Sequence, residues 1–386
     1  MQYQNIDSII KTYNRTDVSQ TVLGKGRTVS IRVHKNTVFM DIADSSGKIQ
    51  VVMPYPIYKR AKIQRGDIIE VIGYIGKTNT QEISIFYEDY KKLSSANNYQ
   101  AENTNLKTIL IDRNRTEAVI RKILKKHDAL EVDSPILNAF EGTSNIQTYE
   151  TIGVDEKKHY LRFTMELELK KYVAQTQMPV FEIGKVFRNM GTSKNKTNEF
   201  KAAEIYLPYH TLEDGISLTK EIIHGMQVEF GKNIGEIKVI NSQKILQENF
   251  PDQKLDDEKL KNLYDKKLEK MLDPQIVINP PAQFVSPLIR KNNLGMAAES
   301  RFVYNNLGTI IQSCEEETDY ERIESELHSQ LAKLTSSGRS ASIDMNFLKK
   351  IKNGLPPMLG MHVGLDRILM AYTDHTNISQ ILPWLK

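Results

Sequence analysis

The sequence predicts an α+β protein of two domains, a small five-stranded barrel followed by a larger domain of helices and antiparallel strands. Three observations lead to this fold class. Short strands separated by turn residues fill residues 19–92. A polar stretch over residues 93–105 then interrupts the apolar pattern. Further on, residues 181–206 hold two strand patterns around a long charged loop, which is typical of an antiparallel hairpin.

The barrel is predicted from five short runs rich in apolar and β-branched residues. Turns such as Asp44-Ser45-Ser46-Gly47 separate them at regular intervals. This number of strands and this spacing are typical of the oligonucleotide-binding barrel, or OB-fold. The five strands are expected at Val29–Val33, Thr37–Ile42, Lys48–Met53, Asp67–Tyr74 and Gln81–Tyr87.

Composition sets the expected domain limits. The barrel is expected at residues 1–95, a linker at 96–106 and the second domain at 107–386. Residues 93–105 are rich in Ser, Ala, Asn, Gln and Thr, which bury little apolar surface. A single cysteine, Cys314, excludes an intrachain disulfide framework and a cysteine-cluster metal site.

The chain also lacks the usual signals of export. No apolar run is long enough to span a membrane, and residues 1–10 have neither the basic nor the apolar region of a secretory signal. We therefore expect a cytoplasmic protein without a membrane partner.

Charge is unevenly distributed along the chain. Residues 1–100 hold 14 Lys and Arg against 9 Asp and Glu, whereas the remainder carries a net charge close to zero. A basic barrel is compatible with a phosphate backbone as partner, and an ordinary solvated surface is equally compatible with this modest excess.

The second domain begins with an amphipathic helix. Residues 113–127 carry apolar side chains at helical spacing, and a strand that ends at Pro135 follows. Residues 210–284 are mostly helical by pattern. The Lys-rich face of residues 254–270 is typical of a solvated surface, with contact to an RNA acceptor stem as the alternative.

The hairpin places unexpected polar side chains on one face. On the return strand Phe200, Glu204 and Tyr206 alternate to the same side, and Arg188 closes the outgoing strand. An Arg can clamp a carboxylate or phosphate, a Phe can stack on a purine, and a Glu can hold an ammonium group. These groups suit ATP and an amino acid, although a solvated sheet face is the alternative.

Several colinear motifs resemble those of class II aminoacyl-tRNA synthetases. Phe187-Arg188-Asn189, Gly191 and Glu199-Phe200 are similar to motif 2 of that family. Residues 113–135 resemble motif 1, and residues 354–367, a strand feeding a helix, resemble motif 3. Within the family, residues 284–290 are most similar to the lysyl-tRNA synthetases.

This resemblance implies the architecture and the reaction of the family. The fold would be an OB-fold anticodon-binding barrel followed by a catalytic domain with an antiparallel sheet flanked by helices. A helical insertion is expected at about residues 210–284, and the motif 1 helix implies a homodimer. The implied reaction condenses an amino acid with ATP to an aminoacyl adenylate and then transfers it to tRNA.

The resemblance also implies roles for the charged residues. Arg188 would neutralise the α-phosphate of ATP, Arg367 would hold the leaving phosphates, Phe200 would stack on adenine, and Lys196 would belong to the ATP-binding loop.

The amino-acid pocket is implied in the same way. Glu166 and Glu204 would bind the α-ammonium, while Tyr206 and Glu317 would meet a distal ammonium, which points to lysine or a close analogue. The three adjoining carboxylates Glu315, Glu316 and Glu317 leave this last assignment open, because a shift of one position exchanges them.

In the barrel the resemblance implies an RNA-binding surface. Phe39 would stack on an anticodon base, Gln50 and Glu82 would bond base edges, and Arg32 would contact a base or a phosphate. For Phe39 the alternative is a plain core residue.

The chain departs from the family at several positions. Val303 and Ile310 stand where the family has two carboxylates for Mg²⁺, so Mg²⁺ is expected with ATP but its protein ligands are missing. Met190 replaces a Glu that reads the nucleotide. His362 replaces a Gly, and we assign it no role.

Three functions remain compatible with these residues. The first is a lysine-tRNA ligase. The second is a diverged relative that passes a lysine-like amino acid to a protein or a small molecule. The third is an RNA-binding paralogue without catalysis. The barrel favours RNA as partner, whereas the missing carboxylates favour divergence.

Overall fold

The computed structural model describes residues 3–16, 18–99, 105–144, 146–251, 258–292 and 294–384. The chain forms two compact units, Met1–Thr104 and Asn105–Lys386. Residues 100–104 of the expected linker and residues 254–257 of the Lys-rich face lie outside the described residues.

The first unit is a closed five-stranded barrel, which confirms the predicted OB-fold. Its strands are hydrogen-bonded in the order β1-β2-β3-β5-β4. All five predicted strands are present, and β1 begins earlier and β5 ends later than the patterns suggest. Two helices, α1 and α2, were not expected. The elements are α1 Ile6–Thr16, β1 Thr21–His34, β2 Thr37–Ala43, β3 Lys48–Pro54, α2 Tyr55–Ala61, β4 Ile68–Lys77 and β5 Ile83–Ser94.

Alternation along the strands separates the barrel core from its outer face. In β2 the side chains of Val38, Met40 and Ile42 are fully buried, so the residues between them point outward. The first residues of the expected linker pack on the barrel: Ala96 donates its backbone N–H to Asp67, and Tyr99 covers Gly66.

The second unit is an α+β domain built on an eight-stranded sheet. Its elements are α3 Asn105–Lys126, β6 Leu130–Glu131, β7 Leu137–Asn138, β8 Glu150–Ile152, β9 Lys158–Leu161, α4 Glu166–Thr176, β10 Val180–Phe187, β11 Glu199–Pro208, α5 Leu212–Phe230, β12 Lys238–Asn241, α6 Ser242–Asn249, α7 Glu258–Glu269, β13 Gln275–Ile278, β14 Glu299–Val303, β15 Thr309–Glu315, α8 Tyr320–Ser336, α9 Met345–Ile351, β16 Met358–Gly364 and α10 Leu365–Thr373. Short 3₁₀ turns occupy Ala282–Phe284 and Ile378–Gln380.

The large sheet is antiparallel except at its edges. Its strand order is β12-β13-β14-β15-β16-β11-β10-β6, and β7, β9 and β8 form a separate three-stranded sheet. The predicted hairpin is confirmed, since β10 and β11 pair from Phe187 opposite Glu199 to Val180 opposite Tyr206. The edge pairs β12 with β13 and β10 with β6 are parallel, which makes the sheet mixed.

Helices cover both faces of this sheet. One face carries Ala203, Ile205 and Leu207 of β11 and packs on α3, α5 and α10. The other face is covered by α4, α8 and α9 towards one side and by α6 and α7 towards the other. The region 210–284 is mainly helical as predicted, but it also supplies the edge strands β12 and β13.

None of the helices in the described parts of the chain combines the length and the apolarity that crossing a membrane requires.

Candidate functional site

A row of polar side chains crosses the middle of the large sheet. Strand register aligns Arg301 of β14, Gln312 of β15, His362 of β16, Glu204 of β11 and Glu182 of β10. Paired residues on neighbouring strands point to the same face, so all five lie on the face covered by α4 and α7. Positions covered on both faces are usually apolar, so this polar row indicates a functional site.

A second row beside it forms the floor of a small pocket. It runs from Tyr206 on β11 through Gly360 on β16 to Cys314 on β15. A Cβ atom on Gly360 would come within 2.0 Å of Oε1 of Glu316, so this glycine leaves the space that the carboxylate fills. Glu316 follows directly after the end of β15.

A buried lysine ammonium occupies the centre of this pocket. Nζ of Lys170 on α4 donates to Oε1 of Glu166 at 2.6 Å and to Oε2 of Glu316 at 2.7 Å. It also lies 5.7 Å from the centre of the Tyr206 ring. The Lys170 side chain is only 2% exposed. The pocket therefore provides carboxylates and an aromatic ring to an alkyl ammonium group.

Burial and charge shift the titration of these groups. Burial raises the pKa of Tyr206 well above its ordinary value, and the carboxylates of Glu166, Glu204 and Glu316 raise it further. Burial also raises the pKa of Glu316 to about 7, although Lys170 opposes this shift. For Lys170, burial lowers the pKa, but Glu166 and Glu316 outweigh it and raise the pKa, so the ammonium stays charged.

The return strand brings three predicted residues to this face, as their alternation suggests. Glu204 and Tyr206 are buried, and Phe200 is half-buried. Nδ1 of His362 lies 2.8 Å from Oε1 of Glu204, and the imidazole meets the Phe200 ring edge-on at 6.5 Å between centres. His362, which was assigned no role in the sequence analysis, therefore contacts two expected substrate-binding residues.

Glu317 does not lie in the pocket, which corrects the expected position of the distal carboxylate. Its Oε1 accepts the backbone N–H groups of Thr318 and Asp319, and its Oε2 faces Arg322. It therefore stabilises the chain before α8. The neighbouring Glu316 faces the pocket instead, because it continues the alternation of Gln312 and Cys314 and still pairs with Ile289 as an isolated bridge just beyond β15.

Arg188 lies beside Phe200 with most of its donors free. Its Nε donates to the carbonyl of Phe163 at 3.2 Å, and the guanidinium is 5.2 Å from the centre of the Phe200 ring. Its terminal nitrogens have no acceptor among the residues that the structure describes. Burial lowers the pKa of Arg188, and the nearby carboxylates of Glu204 and Glu166 oppose this effect.

Arg367, at the start of α10, binds backbone carbonyls. Its Nη1 donates to Thr309 at 2.7 Å and its Nε to Asn195 at 3.3 Å. Burial lowers the pKa of Arg367, while Glu269 raises it. The exposed ammonium of Lys196, in the hairpin loop, pairs with this same Glu269 at 2.6 Å.

The two arginines differ from other arginines of this unit in their partners. Neither Arg188 nor Arg367 forms an ion pair with a carboxylate within the described part of the chain. Other buried arginines do: Arg113 pairs with Asp366, Arg162 with Glu182 and Arg301 with Glu299. Two half-buried cations without a carboxylate partner form a site suited to an anion such as a phosphate.

The two positions expected to lack metal ligands are apolar and buried. Val303 packs among the side chains of α6 and α7, and Ile310 packs in the core on the other face. Among the described residues no group of three or more His, Cys, Asp or Glu side chains is arranged to hold a metal ion. The residues present therefore do not fit an Mg²⁺ ion held by protein carboxylates.

The barrel carries a second site on its outer face. Strand pairing aligns Arg32 of β1, Phe39 of β2, Val52 of β3, Phe86 of β5 and Tyr74 of β4 in one row. Phe39 is half-buried and outside the barrel core, while Phe86 and Tyr74 stack at 4.9 Å with their rings 6° apart. An aromatic row beside a guanidinium is suited to unstacked bases.

Gln50 and Glu82 lie next to this row and bond each other. Nε2 of Gln50 donates to Oε2 of Glu82 at 2.9 Å, and Ser84 donates to the Gln50 carbonyl at 3.0 Å. Gln50 is buried, whereas Glu82 is exposed. Tyr74 and Phe86 were missed from the sequence, although their alternation with the buried residues Ile75 and Ile85 could have indicated them.

Lys170 was also missed, whereas Glu316 was one of the three adjoining carboxylates that the sequence prediction left open. The four-residue spacing of Glu166 and Lys170 on a helix indicates an ion pair, but such pairs are usually exposed. Nothing in the local sequence predicts that this one is buried against the sheet.

Comparison with known proteins identifies a family for each of the two units. A family model described as tRNA synthetases class II (D, K and N) matches residues 91–386, and a model described as OB-fold nucleic acid binding domain matches residues 22–93.

Similar proteins include several lysine-tRNA ligases. The ligase of Fervidobacterium nodosum is 26% identical over 421 residues, which cover 92% of this chain and 82% of that protein. The ligase of Thermotoga maritima is 26% identical, and the aligned region covers 93% of this chain and 84% of that protein. The ligase of Vesicomyosocius okutanii is 26% identical, and the aligned region covers 98% of this chain and 90% of that protein. The synthetase model covers the whole second unit, and the OB-fold model covers most of the barrel. The chain therefore belongs to the class II tRNA synthetases of the D, K and N type.

Proposed function

We propose that this protein activates lysine, or a close analogue, with ATP and transfers it to tRNA. The observation that carries the proposal is the pairing of two sites on one sheet face. Glu166, Glu316 and Tyr206 surround an alkyl ammonium, and Arg188 and Arg367 offer positive charge without a carboxylate partner.

The amino acid would bind through its two ammonium groups and its carboxylate. Glu166 and Glu204 would take the α-ammonium, and Tyr206 with Glu316 would take the distal one, in place of the Glu317 of the sequence prediction. Burial strengthens these interactions, since a buried polar group that is left unpaired costs about 1 to 3 kcal/mol.

ATP would bind beside this pocket. Arg188 would contact the α-phosphate and the substrate carboxylate, Arg367 the leaving phosphates, and Phe200 the adenine ring. The ring face that adenine needs is where the Arg188 guanidinium now lies, so Arg188 would swing towards the phosphate when the nucleotide enters. Lys196 would first have to leave Glu269.

The chemistry would depend on position and charge more than on proton transfer. The substrate carboxylate attacks the α-phosphorus of ATP in line, a phosphorus-oxygen bond forms, and pyrophosphate leaves. Arg188 neutralises the charge that develops on the α-phosphate oxygens. ATP would bring Mg²⁺ with it, because the described side chains do not fit a protein-held ion.

The barrel would hold the tRNA. Phe39, Phe86 and Tyr74 would stack on unpaired bases, and Arg32 would meet a phosphate or a base. Gln50 and Glu82 would exchange their mutual hydrogen bond for base edges. By analogy with the family we also propose a homodimer that acts in the cytosol.

The decisive experiment is amino-acid-dependent exchange of pyrophosphate into ATP, measured for all standard amino acids and for lysine analogues. The proposal expects exchange with lysine, or with an analogue that keeps both ammonium groups, and aminoacylation of a lysine-accepting tRNA. Exchange without tRNA charging would instead favour another acceptor, and no exchange with any amino acid would refute the activity.

A further inference from the structure

The amino-acid pocket combines three carboxylates with a single lysine. Glu166 and Glu316 bind the Lys170 ammonium directly, while Glu204 is held by His362. Lys170 is therefore the only ammonium group of the protein among these pocket residues. The proposed reaction gives it no chemical step, which raises the question of what it does.

We propose that Lys170 is a positioning residue that sets the charge of the amino-acid pocket. Its ammonium holds Glu166 and Glu316 in place and balances one of the three negative charges. Two of the three carboxylates are then left for the two ammonium groups of lysine or of a close analogue. This inference rests on the proposed function, because it places the amino acid in this pocket.

The geometry supports a positioning role. Glu166 belongs to α4, whereas Glu316 follows β15, so Lys170 connects a helix to the sheet. Each carboxylate gives Lys170 only one oxygen. Oε2 of Glu166 has no hydrogen-bond partner among the described residues, and Oε1 of Glu316 accepts only the weak Sγ donor of Cys314 at 3.4 Å. Both oxygens thus remain available to a substrate ammonium.

The titration of Glu316 gives the inference a measurable consequence. The groups that face it are Lys170 and Glu166 on α4, Cys314 on β15 and Tyr206 on β11. Lys170 is the only cation among them and lowers the pKa of Glu316 the most, while the hydrogen bond from Cys314 lowers it less. Without it, Glu316 keeps its proton to higher pH, and a protonated carboxyl binds an ammonium poorly.

The experiment compares Lys170→Met with a matched variant, Lys171→Met. Lys171 is also buried on α4, but it pairs with Glu168 and Asp344 outside the pocket. Lysine binding is measured by calorimetry and lysine-dependent exchange by kcat/KM, both between about pH 6 and pH 9.5. Lys170→Arg keeps the charge and serves as the conservative variant.

We expect the acid limb of both profiles to move to higher pH by about one unit in Lys170→Met. Because the pKa of Glu316 is about 7 in the wild type, this shift lowers the ionised fraction of Glu316 at pH 7, and with it the affinity, about fivefold, and the loss recovers at alkaline pH. Lys171→Met and Lys170→Arg should keep the wild-type limb. An unchanged limb in folded Lys170→Met would overturn the inference and leave Lys170 a structural residue.

A double-mutant stability cycle decides the case if Lys170→Met is folded but too unstable for the binding and exchange measurements. Thermal unfolding of the ligand-free wild type, Lys170→Met, Glu316→Gln and the double variant is measured at several pH values. Rescue of Lys170→Met by Glu316→Gln would support the pair, because the double variant has no uncompensated charge at Glu316. Additive effects, or no rescue, would refute the coupling.

The same measurements separate this inference from the proposed function. If the wild type neither binds nor activates lysine or its analogues, the proposed function and the charge match fail together. An additive cycle in a wild type that does activate lysine refutes the Lys170 inference alone.

Discussion

Nδ1 of His362 lies 2.8 Å from Oε1 of Glu204, across the pairing of β16 with β11. The imidazole therefore occupies a carboxylate oxygen that the proposed function reserves for the α-ammonium of the amino acid. Where the resemblance implies a glycine, this chain has a side chain that would compete with the proposed substrate. The first prediction follows from this competition.

Replacement of His362 by Gly should strengthen lysine binding. One hydrogen bond is worth about 1 kcal/mol, so removing the competitor should lower the dissociation constant about fivefold. Calorimetric titration measures it, and His362→Asn, which keeps a donor, should stay close to the wild type. Weaker binding by the glycine variant would show that His362 instead holds Glu204 in the productive position.

Removal of the Arg188 guanidinium should abolish adenylate formation while the fold remains. A preorganised donor at developing charge is worth about 3 kcal/mol, or a hundredfold or more in rate. Pyrophosphate exchange measures the loss, and thermal unfolding checks the fold of Arg188→Ala. Arg115→Ala is the matched control, because Arg115 pairs with Glu229 at the surface and should leave exchange unchanged. Full exchange by folded Arg188→Ala would contradict its assignment.

Discrimination against norleucine should depend on Glu316 and not on Glu317. The wild type should prefer lysine over this analogue by on the order of 10⁴, since the buried groups that meet the distal ammonium would be left unpaired. Glu316→Gln should reduce this preference strongly, as measured by kcat/KM in pyrophosphate exchange. Glu317→Gln should keep the preference for lysine. The reverse result would show that Glu317, and not Glu316, binds the distal ammonium.

Introduction of a carboxylate at position 303 should destabilise the protein rather than create a metal site. Val303 is fully buried among apolar side chains of α6 and α7, so Val303→Glu would place a charge there without a partner. A loss of about 3 kcal/mol or more in the free energy of unfolding is expected from denaturant titration. Val228→Glu, at an exposed position of α5, should cost little. Stabilisation of Val303→Glu by Mg²⁺ would count against this prediction.

Substitutions in the aromatic row of the barrel should weaken tRNA binding without touching the chemistry. Each stacked ring is worth about 1 to 3 kcal/mol, so Phe39→Ala and Tyr74→Ala should each lower affinity roughly tenfold or more. Filter binding of a lysine-accepting tRNA measures the effect at a fixed salt concentration. Pyrophosphate exchange should stay unchanged, because the row belongs to the other compact unit. Equal affinity for the same tRNA with an altered anticodon would show that the barrel does not recognise the anticodon.

Much of the fold could be predicted because its patterns are local. The five barrel strands and the hairpin of β10 and β11 follow from alternation and turn residues, and the structure confirms them. The helices α1 and α2 were missed, since short helices beside strands carry weak signals. The parallel edge pairs were also missed, because they join segments that are distant in sequence.

The site was predicted in part for a similar reason. The alternation of side chains along a strand is enough to bring Phe200, Glu204 and Tyr206 to one face, as the structure shows for β11. Glu316 and Glu317 could not be separated, because the choice depends on which residues of β15 face the pocket, and that is set by the register of β15 with β16. The contact of His362 with Glu204 requires the pairing of β16 with β11, which no local pattern contains.

The polar row across the sheet links the site to the order of folding. Its five members come from five different strands. Two of the pairings form within the hairpins of β10 with β11 and of β14 with β15, but the row is complete only when β16 has paired in register with both β11 and β15. A slip of one residue in any strand would turn its member of the row to the opposite face. Long-range pairing of this kind is slow to form. Lysine binding should therefore return late in refolding, after the circular-dichroism signal of the helices and of the barrel has recovered.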